Sequence, residues 1–256
     1  MENCKIDLNK KIITFNRLSN EKIVNAFTLK PFDFSSKSKN IKSGEYKTLK
    51  DALGINLTTS KIIKPVQKHT INVQIVDETN INNYFDNTDG LITNLKNVAL
   101  ATSLADCQGI LIYDPNKRVI GNVHSGWRGT LKRIVINAIH LMEEKFNSNP
   151  ADIEIYICPS ILKCCFEVDE DVEILFRNEF KDINIDEFIE SGNKTENQKF
   201  YIDTVGINRA ILMKEGVKAE NIITSNICTK CNSDKIHSYR ADGKNAGRNL
   251  SIIMMT

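Results

Sequence analysis

The sequence lacks any long apolar run, and that absence excludes whole classes of protein first. The opening stretch "MENCKIDLNKKIITF" scatters acidic and basic residues without a continuous apolar segment, so neither a signal peptide nor a membrane anchor is expected. No later run approaches the length that spans a bilayer. Net charge is equally scarce: 34 Lys and Arg stand against 32 Asp and Glu, leaving +2. A balance this even gives no electrostatic reason to expect a nucleic-acid partner. Cysteine is present in an odd number without a secretory context: Cys4, Cys107, Cys158, Cys164, Cys165, Cys228 and Cys231. That pattern favours thiols or metal ligands over a disulfide framework, and the expected lack of a signal peptide or membrane span points to the cytoplasm. The sequons at Asn56 and Asn193 are then chance matches. Internal repeats and low-complexity tracts are also lacking.

What remains is the composition of an ordinary globular protein. A hydrophobic fraction of 41% can fill a sizeable core, and residues 1–256 are read as a single domain. Polar, unpatterned stretches at 35–46 ("SSKSKNIKSGEY") and 191–199 ("SGNKTENQK") read as exposed loops. "TINVQIVD" (70–77) alternates Ile71, Val73 and Ile75 against polar neighbours, the period of a strand with one wet face. "GILIYD" (109–114) and "RVIGNVH" (118–124) are nearly continuous apolar runs around a short turn, which predicts a β-hairpin buried on both faces. After a Thr130 N-cap, Leu131, Ile134, Val135, Ala138, Ile139, Met142 and Phe146 fall at helical spacing. Further strands are expected in "ADIEIYICPS" and "KFYIDT". Helices are expected in "DEDVEILFRNEF" and "VGINRAILMKEGV", the second closed by Gly216. The mixture predicts an α/β or α+β fold with a mixed, partly antiparallel sheet covered by helices.

The hairpin carries a chemical consequence. Its two open ends meet, so Cys107 before the first strand and His124 at the close of the second become neighbours. A thiol beside an imidazole is either a nucleophile with its base or a pair of ligands for a metal such as zinc. Among the other three histidines, His140 reads as structural, near the core-facing positions of its helix, and His237 as either a rim or a surface residue. His69, at the start of a predicted strand, is placed to converge on the site as a third ligand. Three ligands with an open fourth position is the pattern of catalytic zinc. "CTKC" (228–231) has knuckle spacing but no second Cys pair at ribbon spacing, so it reads as two partly buried thiols. Adjacent Cys164 and Cys165 point in opposite directions on an extended backbone, so they are not expected to ligate one ion together and read as packing residues at the site edge. Arg128, Arg240 and Arg248 lie in glycine-bearing loops and suit phosphate or carboxylate. Trp127, the only tryptophan, either stacks on a flat ring or plugs the hairpin mouth. Asp106 and Glu167 are the carboxylates nearest in sequence for orienting a ligand or moving a proton.

Eight segments taken together resemble one family. They are "VQKH" (66–69), "TDGLIT" (88–93), "ADCQGILIYD" (105–114), "HSGWRGT" (124–130), "CPSILKCCFEV" (158–168), "FYIDTVGINRAIL" (200–212), "NICTKC" (226–231) and "SYRADGKNAGR" (238–248). Their content and order are similar to those of the laccase-domain, or multicopper polyphenol oxidase, proteins, also described as purine nucleoside phosphorylases and as a peptidoglycan editing factor. The resemblance implies a zinc site at His69, Cys107 and His124, with copper ranked below zinc. It also implies a fold similar to the catalytic domain of cytotoxic necrotizing factor, and Gln67 as a further substrate-binding residue in the "VQKH" segment. The implied partners are a purine nucleoside and phosphate, cleaved by phosphorolysis, with adenosine deamination as a second activity. The alternatives are a cysteine or zinc hydrolase that edits peptidoglycan precursors, a non-catalytic zinc module, and a copper-dependent phenol oxidase. Three departures stand out. "FTLKPFDFSS" (27–36) replaces the family's glycine- and serine-bearing stretch, the family's Asn-Arg pair before the next helix has no equivalent, and "SYRADG" lacks the second arginine of "SYRRDG".

Overall fold

Along strand Gln108–Asp114 every residue is buried, so this strand is covered on both faces. Ile110 and Ile112 face one apolar cluster, while Leu111 and Tyr113 face another, as the two-residue period of a strand requires. The structure, a computed structural model, describes residues 3–20, 23–35, 44–56, 58–192 and 198–256. Among these residues the hairpin sits at the centre of a six-stranded sheet. Its order is Ile222–Thr224, Glu154–Ile157, Gln108–Asp114, Val119–Ser125, Gly90–Thr93 and Val73–Ile75. A second six-stranded sheet runs Cys4–Asp7, Ile12–Phe15, Ile23–Thr28, Asn249–Met255, Val98–Leu104 and Lys61–Ile63. The two pack face to face through Phe15, Phe27, Leu100 and Ile253 on one side and Leu91, Leu111, Tyr113 and Tyr156 on the other. Helices close both outer faces. Ile134–Phe146 and Thr204–Lys214 cover the hairpin sheet, and Gly44–Leu53 covers the second sheet. A three-stranded sheet, Glu167–Asp169, Lys199–Ile202 and Ile189–Ser191, stands to one side.

The expectation of a mixed, partly antiparallel sheet covered by helices holds, with one correction: there are two large sheets instead of one. Parallel pairs (Val73–Ile75 with Gly90–Thr93, Ile222–Thr224 with Glu154–Ile157, Lys61–Ile63 with Val98–Leu104) edge otherwise antiparallel ladders. The buried sheet interface also carries a polar stitch. Asn122 Nδ2 donates to the carbonyls of Leu100 and Ser251, and its Oδ1 accepts from the hydroxyls of Thr102 and Ser251. Every polar atom of that amide is thereby satisfied out of reach of water.

Other local expectations change. The strand at 70–77 shrinks to Val73–Ile75, because Ile71 is exposed and Asn72 turns its backbone carbonyl to Asp89 and Gly90. Thr130 does not cap a helix. It lies inside a short helix, Trp127–Leu131, and its hydroxyl joins a buried network with Ser125 and Asn208. The chain breaks at Arg133, which takes left-handed backbone angles (φ 56°), and the long helix restarts at Ile134. His140 faces away from the core and pairs with Glu215 at 2.6 Å. The stretch at 35–46 gives way to the helix from Gly44; residues 36–43 lie outside the described residues, as do 193–197 of the second polar stretch. The helix Thr204–Lys214 begins on Asp203, whose side chain accepts from Gly206 N, and ends before Gly216 (φ +98°), as expected.

Candidate active site

The hairpin register sets Gln108 opposite Ser125 and Gly109 opposite His124, so its open end delivers Cys107 and His124 to one place. His69 arrives from the loop ahead of strand Val73–Ile75. One ligand-type atom from each of His69, Cys107 and His124 lies within 4.8 Å of the others. The two imidazole rings meet edge to face with centroids 4.8 Å apart, and Cys107 Sγ is 3.9 Å from His69 Nε2. His69 is exposed, Cys107 half-buried and His124 buried, so the cluster descends from rim to floor.

Asp89, fully buried just before strand Gly90–Thr93, organises this cluster. Its Oδ1 accepts from His124 Nδ1 at 2.7 Å and from His69 N at 3.1 Å. Its Oδ2 accepts from Lys68 N, Thr70 N and the Thr70 hydroxyl. Three successive backbone N–H groups thus converge on one carboxylate, which holds His69 in the left-handed region (φ 59°). The bond to His124 Nδ1 leaves its Nε2 free to face the cluster. Burial alone would raise the Asp89 pKa, but hydrogen bonds from His124 and Thr70 outweigh it and hold the carboxyl at about 2. Burial would likewise push the Cys107 thiol up. The His124 charge and hydrogen bonds from both histidines outweigh it and hold the thiol at about 6. His124 is raised to about 9, because the Cys107 charge and the Asp89 contact overcome its desolvation. Each of Cys107 and His124 thus favours the charged form of the other.

Gly126 makes the packing possible. A Cβ there would stand 3.0 Å from Cys107 Sγ and 3.0 Å from His69 Cδ2, closer than ordinary contact, so a side chain at this position requires those two groups to shift. Behind it runs a buried polar chain: Gln108 Nε2 donates to the Thr204 hydroxyl, and Asn208 Nδ2 donates to Gln108 Oε1.

The cluster opens into a cleft of ≈ 1130 Å³, at the upper end of small-molecule sites. Lys64, Gln67, Asp106, Trp127, Arg240 and Arg248 are among its lining residues. Both polar ends of Gln67 are engaged by the backbone of Ser103, so it braces the wall. Asp106, in left-handed backbone (φ 80°), accepts from the Thr229 hydroxyl and from Arg240 N, and so anchors the arginine loop beside Cys107. Arg240 Nη1 donates to the Cys165 carbonyl, and Arg248 Nη1 donates to the carbonyls of Ala246 and Gly247. Two candidates fall elsewhere. Arg128 is exposed, with its guanidinium 4.1 Å from the Trp127 ring centroid, and Glu167 is exposed, accepting from the Tyr201 hydroxyl. Neither is among the residues lining the cleft. His237, read as a rim or surface residue, bonds the Phe32 carbonyl beneath the close backbone of Gly247.

Residue-by-residue reading missed Asp89, Gly126 and Lys64. The buried acid in "TDG", directly before an apolar strand, was the available signal for Asp89. Lys64 lines the cleft, with burial lowering its ammonium pKa and Nζ donating to the Ser103 hydroxyl. The reading of Cys164 and Cys165 is also corrected. They sit in a turn, not on an extended backbone, and their sulfurs gather with those of Cys228 and Cys231 within 4.8 Å.

The chain is 38% identical over 168 residues to "Purine nucleoside phosphorylase YlmD" of Bacillus subtilis, an overlap of 66% of this chain and 59% of that one. The chain thus spans less than two thirds of that relative. It is 30% identical over 211 residues to "Adenosine deaminase RL5" from an unknown prokaryotic organism, covering 80% of this chain and 78% of that protein. The crystal structure of Bacillus licheniformis hypothetical protein YfiH superposes with a TM-score of 0.87 over 100% of both chains, and at 24% identity that likeness carries the fold alone. No helix among the described residues is long and apolar enough to cross a membrane. With residues 35–256 matched, the chain belongs to the family described as multi-copper polyphenol oxidoreductase laccase.

Proposed function

We propose that this chain is a zinc-dependent purine nucleoside phosphorylase, with adenosine deamination as a second activity of the same site. One observation carries the reading. Two imidazoles and a thiol stand in a cleft that also presents Lys64, Arg240 and Arg248, cations suited to an anionic co-substrate. The names of the relatives supply the substrate class. The donor set fits zinc, being two nitrogens and one sulfur with an Asp behind one histidine. His69, Cys107 and His124 would hold it, and when bound it would supply Lewis acidity at an open fourth position.

The chain's own residues do the rest. Asp89 keeps the proton of His124 on Nδ1 and fixes the ring. Arg240, Arg248 and Lys64 hold phosphate, and Trp127, Phe166 and Ile161 offer an apolar wall to the base. A phosphate oxygen then bonds to the anomeric carbon as the glycosidic C–N bond breaks. The bonding pair leaves with the purine, which takes up a proton, giving ribose 1-phosphate and free base.

A specific observation favours one alternative. Cys107 within 4.8 Å of both imidazoles, with Asp89 behind His124, also suits a cysteine nucleophile cutting an amide in a peptidoglycan precursor. Copper-dependent phenol oxidation ranks lower, because four-electron oxygen reduction needs several copper sites, and among the described residues one His/Cys cluster lines the cleft. The test is turnover of inosine and adenosine by zinc-loaded protein, resolving ribose 1-phosphate, base and ammonia, with Cys107→Ala as control. Phosphate-dependent base release that chelator abolishes supports the phosphorylase. Activity on cell-wall peptides that survives chelator, with no nucleoside turnover, replaces it with the hydrolase. We further propose that residues 1–256 act as one cytoplasmic domain. Its kinship to the catalytic domain of cytotoxic necrotizing factor is tested by superposing the two backbones.

A further inference from the structure

Outside the cleft, four cysteines converge from two separate segments. The turn at 163–165 brings Cys164 and Cys165, and the loop after strand Ile222–Thr224 brings Cys228 and Cys231. The sulfur of Cys164 lies 3.8 Å from those of Cys165 and Cys231, and Cys165 lies 3.5 Å from Cys231. All four sulfurs fall within 4.8 Å of one another. A disulfide would need roughly 2.05 Å. A tetrahedral ion with metal–sulfur bonds of roughly 2.3 Å sets its ligands roughly 3.8 Å apart, close to the 3.5–3.8 Å among Cys164, Cys165 and Cys231, with Cys228 inside the same 4.8 Å group. We propose that Cys164, Cys165, Cys228 and Cys231 form a tetrathiolate site for a thiophilic divalent cation of the zinc class, separate from the cluster in the cleft.

Several independent features fit. Cys228 and Cys231 stand three positions apart, the spacing of a Cys-x-x-Cys knuckle. Cys228 is buried and Cys165 half-buried, while Cys164 and Cys231 are exposed, so a cation has a path in from solvent. The two segments are already aligned: Ser160 N donates to the Ile227 carbonyl and Thr229 N to the Ser160 carbonyl. A cation would lock this alignment at its outer end.

The lock has a position worth noting for the cleft. Thr229, between the two knuckle cysteines, donates to Asp106 at 2.6 Å, and Arg240 donates to the carbonyl of Cys165 at 3.0 Å. Ile161 N also donates to the Asp106 carbonyl. The second cation therefore fastens the two loops that set Asp106 beside Cys107 and hold the Arg240 loop in place. Its role is positional and does not depend on which reaction the cleft performs.

The experiment is metal stoichiometry by mass spectrometry on full-length protein purified under reducing conditions and dialysed against a weak chelator. It is followed by cobalt substitution and visible spectroscopy. Wild type is expected to hold two zinc equivalents, Cys107→Ser one, and Cys164→Ser or Cys231→Ser one. The cobalt spectrum of Cys107→Ser should keep the strong sulfur-to-metal charge-transfer bands of four thiolates, and Cys231→Ser should lose them. If serine variants fail to fold, Cys231→His restores a ligand and should recover the second equivalent. A single equivalent in wild type that Cys107→Ser abolishes overturns the proposal, as do two equivalents retained in Cys164→Ser and Cys231→Ser. Disulfides joining these cysteines in the metal-bound protein overturn it as well. Since no readout is turnover, failure here leaves the nucleoside reading untouched.

Discussion

Replacing Asp89 by Asn is the sharpest probe of how the site is built, because it keeps the shape and changes only charge and one donor. Asp89 accepts five hydrogen bonds: His69 N and His124 Nδ1 on one oxygen, Lys68 N, Thr70 N and the Thr70 hydroxyl on the other. An amide group turns one of these acceptors into a donor. Facing the Lys68–Thr70 side it meets three donors, so the NH₂ settles toward His124 and His69. His124 then accepts at Nδ1 and carries its proton on Nε2, the atom a metal would need. Losing such an outer partner costs about 10–100-fold in metal affinity. The carboxyl pKa, held at about 2, lies below the ordinary 3.8, which corresponds to about 2 kcal/mol of folding stability at neutral pH. With unsatisfied donors added, the loss is about 2–3 kcal/mol, or about 5–10 °C in Tm for a domain of this size. Zinc competition against a chromophoric chelator and calorimetry on metal-free protein read the two effects separately. Zinc affinity within threefold of wild type, together with a Tm within about 2 °C, would refute the assignment of Asp89 as organiser of the site.

Three further outcomes follow from the geometry. Gly126→Ala places a methyl 3.0 Å from Cys107 Sγ and His69 Cδ2, so zinc binding at the cleft should weaken at least tenfold while far-UV circular dichroism stays unchanged; undiminished zinc binding would show that the loop yields freely. Arg240→Ala should raise KM for phosphate more than tenfold and change KM for inosine less; equal changes would remove Arg240 from phosphate binding. Asp182 is held well below the usual carboxylate range, chiefly by its hydrogen bond to Arg133 and then by Lys214. Because the folded pKa is depressed, its contribution is present above the unfolded value near 3.9 and fades as pH falls through the folded value. Asp182→Asn should therefore lower stability at pH 7 by less than about 1 kcal/mol, as suits a partly exposed pair, and by less still at about pH 2; denaturant titration at both values checks it, and a gap that widens in acid contradicts the sign.

The elements that the sequence by itself determined are those whose burial pattern is local. The hairpin was legible because two unbroken apolar runs around a short turn can pair in few ways, and pairing alone brings Cys107 to His124. The helices Glu170–Glu179 and Thr204–Lys214 were legible from spacing and from their starting and ending residues. Tertiary structure decided what depends on chain segments meeting from afar. Two sheets, not one, arise because the inner face of the hairpin sheet, with Leu111 and Tyr113, needs an apolar partner supplied by strands from both chain ends. Asp89 reaches the histidines only because its strand pairs with Val119–Ser125 on one side and Val73–Ile75 on the other. The four-cysteine cluster was hidden for the same reason. An extended backbone would point Cys164 and Cys165 apart, and the turn at 163–165, closed by Cys165 N and Phe166 N on the Leu162 carbonyl, sets both sulfurs toward Cys231. Periodicity records which side of an element is buried; which buried or polar groups face each other is fixed by the packing of elements distant in sequence.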